Sequence, residues 1–190
     1  AATWVAEQQG GFDVLQVDLY DATARGPVCD SEVFYRDCFN ALNDTGMLTV
    51  NLFGDHPSFE KNMKNLNAAF DGRVVALPEI HEGNRIALAF KGAALSVEWA
   101  DLYERAAVVK ELYDLPAKRW VSALKQVSAP RSSVFSVWSI LTMQQYPPAE
   151  KKKHEEILNQ NIIDSMVNEA RVKQIFIRFL FFALFSWMLR

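Results

Sequence analysis

The chain has 190 residues, of which 50% are hydrophobic and 23% are charged, and its 20 basic and 23 acidic residues give a net charge of −3. This length is that of about one domain with a core of its own, the composition excludes a disordered chain, and the negative charge disfavours a nucleic acid partner. The charge is uneven, because residues 151–190 carry seven basic and four acidic residues, whereas residues 1–150 carry 13 and 19.

The cysteines and histidines predict no metal site. Cys29 and Cys38 lie nine residues apart without a CxxC pattern, and the three histidines are scattered, whereas metal sites and disulfide scaffolds have recognisable spacings. The N-terminal segment AATWVAEQQGG lacks the basic and apolar regions of a secretory signal and is typical of the end of a helix. We expect a reducing compartment and a cytoplasmic location.

The pattern of apolar residues predicts a chain that alternates strands and helices. Short apolar runs bounded by turn residues indicate strands, and they cover residues 12–19, 47–53, 73–77 and 85–90. Apolar residues at helical spacing indicate helices, over about residues 31–42, 55–70, 98–113 and 115–126. The turn-forming residues 43–46 are predicted to end the first long helix, and the aromatic residues of the last two helices are predicted to pack onto the sheet, with ligand stacking as the alternative.

The connections set the directions of the predicted strands. Helical crossovers join the first three strands, which are therefore parallel, whereas residues 78–84 are too few for a crossover and make the last pair antiparallel. This order predicts an α/β fold that corresponds to the second half of a Rossmann-like sheet of the S-adenosylmethionine-methyltransferase type, with parallel strands and a terminal antiparallel hairpin, followed by a helical tail. No glycine-rich nucleotide loop follows any of these strands.

The predicted elements include the segments FDVLQVDLYDATARGP, MLTVNLFGDHPSF and ALPEIHEGNRIALAF. Together they resemble the C-terminal half of the polyamine aminopropyltransferases, the spermidine synthases, over about residues 1–126. The most specific part is the run from Asp18 to Asp21, which is similar to the family's Asp-x-x-Asp at the carboxyl end of a strand.

The resemblance implies a reaction and roles for three residues. It implies transfer of an aminopropyl group to putrescine or a related amine from decarboxylated S-adenosylmethionine, which acts as a co-substrate and not as a tightly bound cofactor. It makes Asp18 the catalytic carboxylate, Asp21 a diamine-binding residue and Tyr20 a cofactor-binding one. The chemistry agrees, because a diamine is a dication near neutral pH and its nitrogen must lose a proton before it attacks. The alternative is that both aspartates only cap the following turn.

The loop before the last predicted strand adds Glu79, His81 and Glu82 as candidate diamine-binding residues. The family has a diamine-contacting tyrosine near this point, where this sequence has Ile80 or His81. Asn51, at the end of the second strand, can face the same cleft, although satisfying backbone groups is the simpler role for it.

The residues that bind the nucleotide in the family precede the segment that this chain resembles. We therefore expect a fragment, a truncated gene product or one part of a complemented assembly. The first strand would then be an edge strand with apolar side chains on both faces, which a second copy of the chain or a complementing chain covers. The alternatives to the enzyme are a non-catalytic module that associates with another chain or a membrane, and half of a methyltransferase.

The chain is predicted to divide into a partial α/β domain at 1–126, a linker at 127–148 and a helical tail at 149–190. Residues 175–189 contain 13 apolar residues, five of them phenylalanine, and are shorter than the about 20 residues that a membrane span needs. Three roles stay open for this segment: packing over a sheet face or a second subunit, lying on a membrane surface, or forming a tail unrelated to the family.

Overall fold

The computed structural model describes residues 1–20, 29–54, 56–79, 83–93, 95–128 and 132–137. Its strands are β1 (Phe12–Val17), β2 (Leu42–Phe53), β3 (Val74–Ala76), β4 (Asn84–Lys91), β5 (Leu95–Glu98) and β6 (Val134–Val137). Its helices are α1 (Ala2–Ala6), α2 (Glu32–Ala41), α3 (Ser58–Ala69), α4 (Trp99–Tyr113) and α5 (Ala117–Gln126). The predicted tail at 149–190, including the apolar segment 175–189, lies outside the described residues.

Four strands form a mixed sheet in the order β1-β2-β4-β3. Strands β1 and β2 are parallel, with Val17 opposite Val50, and β4 is antiparallel to both β2 and β3. The predicted α/β fold, with parallel strands and a terminal antiparallel hairpin, is confirmed. Within the described part of the chain β1 is an edge strand, as the sequence predicts.

The sheet lies between two layers, because successive side chains of a strand point to opposite faces. On one face Leu48 and Val50 pack in a core with residues of α1, α2 and α3. On the other face Leu88 and Phe90 pack with α4, α5 and the β5–β6 pair, and Trp120 is buried among them. The prediction that the aromatic residues of these helices pack onto the sheet is confirmed for Trp120.

Helix α2 has a side-chain partner at each end. At its start Ser31 Oγ accepts a hydrogen bond of 3.1 Å from the Phe34 N–H, in agreement with the predicted cap. At its end Lys91 Nζ, from β4, donates to the carbonyl oxygens of Phe39 at 3.0 Å and Leu42 at 2.7 Å. A cation at a helix C-terminus also interacts favourably with the helix dipole. Lys91 thus joins α2 to the sheet.

Helix α2 ends at Ala41, close to the predicted end, but residues 43–46 do not form a separate turn, because β2 begins at Leu42 directly after α2. The pairing with β1 jumps there: Phe12 lies opposite Leu42, but Val14 lies opposite Met47. Gly46 nevertheless pairs with Lys91 of β4. The turn-forming residues therefore make a bulge on the β1 side of a continuous strand.

The second layer differs from the sequence prediction in two ways. Leu112 and Tyr113, predicted on the apolar face of α4, are 66% and 67% exposed, because the core contacts of this helix end at Val109. Strands β5 and β6 were not predicted, and β6 lies within the stretch predicted as a linker, 127–148. The division into three parts stays a prediction.

Among the described residues, no helix combines the length and the apolar character that crossing a membrane requires.

Candidate active site

The carboxyl ends of β1 and β2 define one edge of the sheet. The two strands are parallel and end at Val17 and Phe53, and ligands of α/β sheets bind outside this edge. Asp18, the predicted catalytic residue, is the first residue after β1. The structure therefore places its carboxylate where such a site is expected.

Asp18 has a side-chain partner from β2. The register that puts Val17 opposite Val50 brings the next residues together, and Asn51 Nδ2 donates to Asp18 Oδ1 at 3.3 Å. The other end of this amide, Asn51 Oδ1, is buried and has no hydrogen-bond partner among the described residues. Backbone groups are the simpler partners expected for Asn51 from the sequence, whereas the structure pairs its Nδ2 with Asp18.

Tyr20, the predicted cofactor-binding residue, packs at the same edge. Its ring lies 5.9 Å from that of Phe53, at an interplanar angle of 88°, which is a favourable edge-to-face geometry. Phe53 in turn contacts the turn before β4, because a Cβ on Gly83 would lie 3.3 Å from its ring. Gly83 has φ +84°, a conformation that glycine adopts without strain. These contacts hold the residues after β1 against the end of β2.

Glu79 brings a second carboxylate to the end of β2. A Cβ on Gly54, the residue after β2, would lie 3.4 Å from Glu79 Oε2 and 2.5 Å from Arg85 Cδ. The Arg85 guanidinium lies 4.3 Å from the centre of the Phe59 ring, and its Nε donates to the Leu77 oxygen at 3.3 Å. The edge that carries Asp18 and Glu79 therefore also holds a fixed cation, which the sequence analysis did not predict.

The other three predicted site residues, Asp21, His81 and Glu82, lie outside the described residues. In the ranges that the structure describes, no group of three or more His, Cys, Asp or Glu side chains could hold a metal ion. The absence of a metal stays a prediction.

The groups with the largest pKa changes lie away from this edge, between α2 and α3. Burial raises the pKa of the Cys38 thiol to about 12. Burial also raises the pKa of Tyr35 above its ordinary value, and its hydroxyl donates to Asn62 Oδ1 at 2.5 Å. These residues belong to the core of the first layer and not to the candidate site.

The structure is an α/β fold that carries the Asp18 and Glu79 carboxylates at the carboxyl edge of its sheet, and comparison with known proteins confirms the resemblance to the polyamine aminopropyltransferases. The chain is 28% identical over 127 residues to the polyamine aminopropyltransferase of Chromobacterium violaceum, across 67% of this chain and 49% of that protein. It is 30% identical over 113 residues to the polyamine aminopropyltransferase of Neisseria meningitidis serogroup A, across 60% of this chain and 43% of that protein. The chain thus spans about half the length of the curated relatives it matches.

Solved structures of spermidine synthases are also similar. One, in complex with the transition-state analogue AdoDATO, has 25% identity and a TM-score of 0.40 over 48% of this chain and 34% of that chain. The spermidine synthase from Thermotoga maritima has 23% identity and a TM-score of 0.35 over 48% of this chain and 33% of that chain. No family model matches the chain.

Proposed function

We propose that the chain forms the amine-binding part of an aminopropyltransferase, which transfers an aminopropyl group from decarboxylated S-adenosylmethionine to putrescine or a related amine. The observation that carries the proposal is the position of Asp18. It follows β1 at the carboxyl edge of the sheet, next to Asn51, in the Asp-x-x-Asp run that resembles that of the polyamine aminopropyltransferases.

The reaction is a displacement at carbon. The lone pair of the acceptor nitrogen attacks the aminopropyl carbon that is bonded to the sulfonium, and the carbon–sulfur bond breaks with its electron pair returning to sulfur. The products are an alkylated amine and methylthioadenosine, a neutral thioether. Because alkylammonium groups lose their proton only near about pH 10, a carboxylate beside the nitrogen both holds the ammonium and accepts its proton. Asp18 has this role in our proposal.

The acidic edge suits an acceptor with two positive charges. Asp18 follows β1, Glu79 lies near Gly54 at the end of β2, and a cleft lined by carboxylates attracts a dication. Arg85, beside Glu79, limits the negative charge at that end of the cleft. We propose Asp21, His81 and Glu82 as further amine-binding residues and Tyr20 as a residue on the cofactor side.

Calorimetric titration of the chain with putrescine tests the amine site. Asp18→Asn removes the charge but keeps an oxygen that can accept from Asn51, and we expect it to weaken binding at least about tenfold, as for loss of a charge-assisted hydrogen bond. The matched control is Asp13→Asn, at the other end of β1, where Asp13 Oδ1 accepts from Asn43 Nδ2 at 2.8 Å. It should bind putrescine like the wild type. Wild-type protein that binds no putrescine, or two variants that lose affinity equally, would refute the amine site.

Transfer is tested separately. The chain is incubated with decarboxylated S-adenosylmethionine and putrescine, and methylthioadenosine and spermidine are measured by mass spectrometry. Formation of both products in wild-type protein, and not in Asp18→Asn, supports catalysis. Putrescine binding without product would contradict catalysis by this chain but leave the amine site intact.

One observation favours the alternative function, an interaction module. Within the described residues β1 pairs only with β2, and Trp4, which packs on Phe12 of β1, is 51% exposed. A homo-oligomer or a complementing chain that covers this strand would appear in sedimentation velocity as a larger species. Sedimentation with liposomes, with and without residues 174–190, tests the membrane alternative, and equal partitioning of the two forms would exclude it. The cytoplasmic location stays a prediction.

A further inference from the structure

Strand β2 carries a half-buried amide, Asn51, beside side chains that are almost fully buried. Asn51 shares a face of β2 with Met47 and Thr49, which are 2% and 6% exposed, and it lies opposite Ile86 of β4, which is 7% exposed. Burying a polar group without a partner is unfavourable, yet Asn51 Oδ1 is buried and has none among the described residues. Packing therefore does not account for an asparagine at this position.

The contact of the Asn51 amide with Asp18 accounts for an asparagine at this position. An ionised carboxylate only accepts hydrogen bonds, so the Nδ2 end of the amide must face Asp18 and the oxygen must face away. The strands do not need this contact, because their backbone register already pairs Val17 with Val50. Asp18, in contrast, lies beyond the last residue of β1, where strand pairing does not hold its side chain.

We propose that Asn51 is a positioning residue that holds the Asp18 carboxylate in the orientation in which it binds the acceptor amine. This inference rests on the proposed function. Effective binding and catalysis need the reacting groups placed closely, and a displacement of about 1 Å can reduce a rate by about a hundredfold. The Asn51 amide, on the neighbouring strand, supplies such a restraint on the Asp18 carboxylate.

A matched pair of asparagine variants tests the inference. Asn51→Leu removes the amide but keeps a side chain of similar size, and we expect it to weaken putrescine binding by about tenfold, with thermal unfolding still cooperative. Asn43→Leu removes the amide that contacts Asp13 at the other end of β1, and we expect it to leave putrescine affinity unchanged. Asn51→Gln keeps an amide donor and should recover part of the affinity. If Asn51→Leu does not fold, Asn51→Thr, which suits a strand but lacks the amide, replaces it.

The outcomes separate this inference from the proposed function. Wild-type affinity in folded Asn51→Leu, together with loss in Asp18→Asn, would overturn the positioning role and leave the proposed function intact. Equal loss in Asn51→Leu and Asn43→Leu would show a structural effect and also overturn it. Wild-type protein that binds no putrescine would overturn both. Loss in Asn51→Leu, partial recovery in Asn51→Gln and no change in Asn43→Leu would support it.

Discussion

Each end of the β1–β2 pair carries a contact between an aspartate and an asparagine, but the two asparagine amides differ in their hydrogen bonding. At the amino end Asn43 Nδ2 donates to Asp13 Oδ1 at 2.8 Å, and its Oδ1 accepts from the Gly11 N–H at 2.7 Å. At the carboxyl end Asn51 Nδ2 donates to Asp18 at 3.3 Å, but its Oδ1 is buried and has no partner among the described residues. The amino-end amide is satisfied and stabilises the fold. The carboxyl-end amide has only one of its two ends paired among the described residues, and such an incompletely paired buried group is typical of a site residue.

The largest difference between the two ends is expected in catalysis. Replacing Asp18 by alanine should reduce aminopropyl transfer by about a hundredfold or more, the effect of losing a group that accepts a proton in the reaction. Asp13→Ala should leave the rate unchanged. Rates of methylthioadenosine formation at saturating substrate measure both variants, and equal rates would remove the distinction between the ends.

For the free energy of unfolding, in contrast, we expect the larger effect at the amino end of the β1–β2 pair. Lys91→Met keeps most of the side-chain stem but removes the ammonium that bonds to the last carbonyls of α2. We expect a loss of about 2 kcal/mol in the free energy of unfolding, as for hydrogen bonds to a charged group. Urea denaturation measures it. Because Lys91 lies at the amino end of β2, opposite Gly46, putrescine affinity should not change, and a loss of affinity would contradict the separation of the two ends.

The two asparagines should differ in what they contribute to stability. Asn43→Ala removes a satisfied amide and should cost about 1 kcal/mol of unfolding free energy. Asn51→Ala should cost less, because it also removes a buried oxygen without a described partner. Parallel urea titrations compare the two variants. A greater loss for Asn51→Ala would mean that its amide is chiefly structural.

A further effect concerns alkaline pH and the first layer, and it is small near pH 9. Burial raises the pKa of Cys38 to about 12 in the folded state, whereas an unfolded thiol titrates near about pH 8.5. The neutral thiol therefore stabilises the fold fully below that pH, and this contribution is lost as the pH rises toward 12. At pH 9 the loss is below about 1 kcal/mol. Cys38→Ala should have a flatter stability profile between about pH 8.5 and 11 than the wild type; parallel profiles would contradict the assignment.

The parts of the fold that the sequence predicts are those with strong local patterns. Strands β1 and β4 are apolar runs between turn residues, and α3 shows its buried stripe and ends at the Asp71-Gly72 turn, where both residues have positive φ. The bulge at 43–46 could not be predicted, because the residue types that form turns also form bulges. Strands β5 and β6 have four residues each and pair across two helices, which leaves no local signal.

The candidate site could likewise be predicted only where a local sequence pattern marks it. The Asp-x-x-Asp pattern points to Asp18, and the end of a strand places it at the ligand edge. Its contact with Asn51 depends on the register of β1 against β2, which the bulge shifts and which no local pattern encodes. The position of Arg85 beside Gly54 likewise depends on a close approach between β4 and the end of β2.

The pairing of β5 with β6 has a consequence for the order in which the chain folds during synthesis. Leu95 pairs with Val137 and Glu98 with Val134, and Trp99 Nε1 donates to the Ser132 oxygen at 3.1 Å, so both helices of the second layer lie within one closed segment. Chains emerge from the ribosome N-terminal end first. The first layer and the four-stranded sheet can therefore assemble while the second layer is still incomplete, and the layer over the apolar face of β4 is complete only once β6 has emerged.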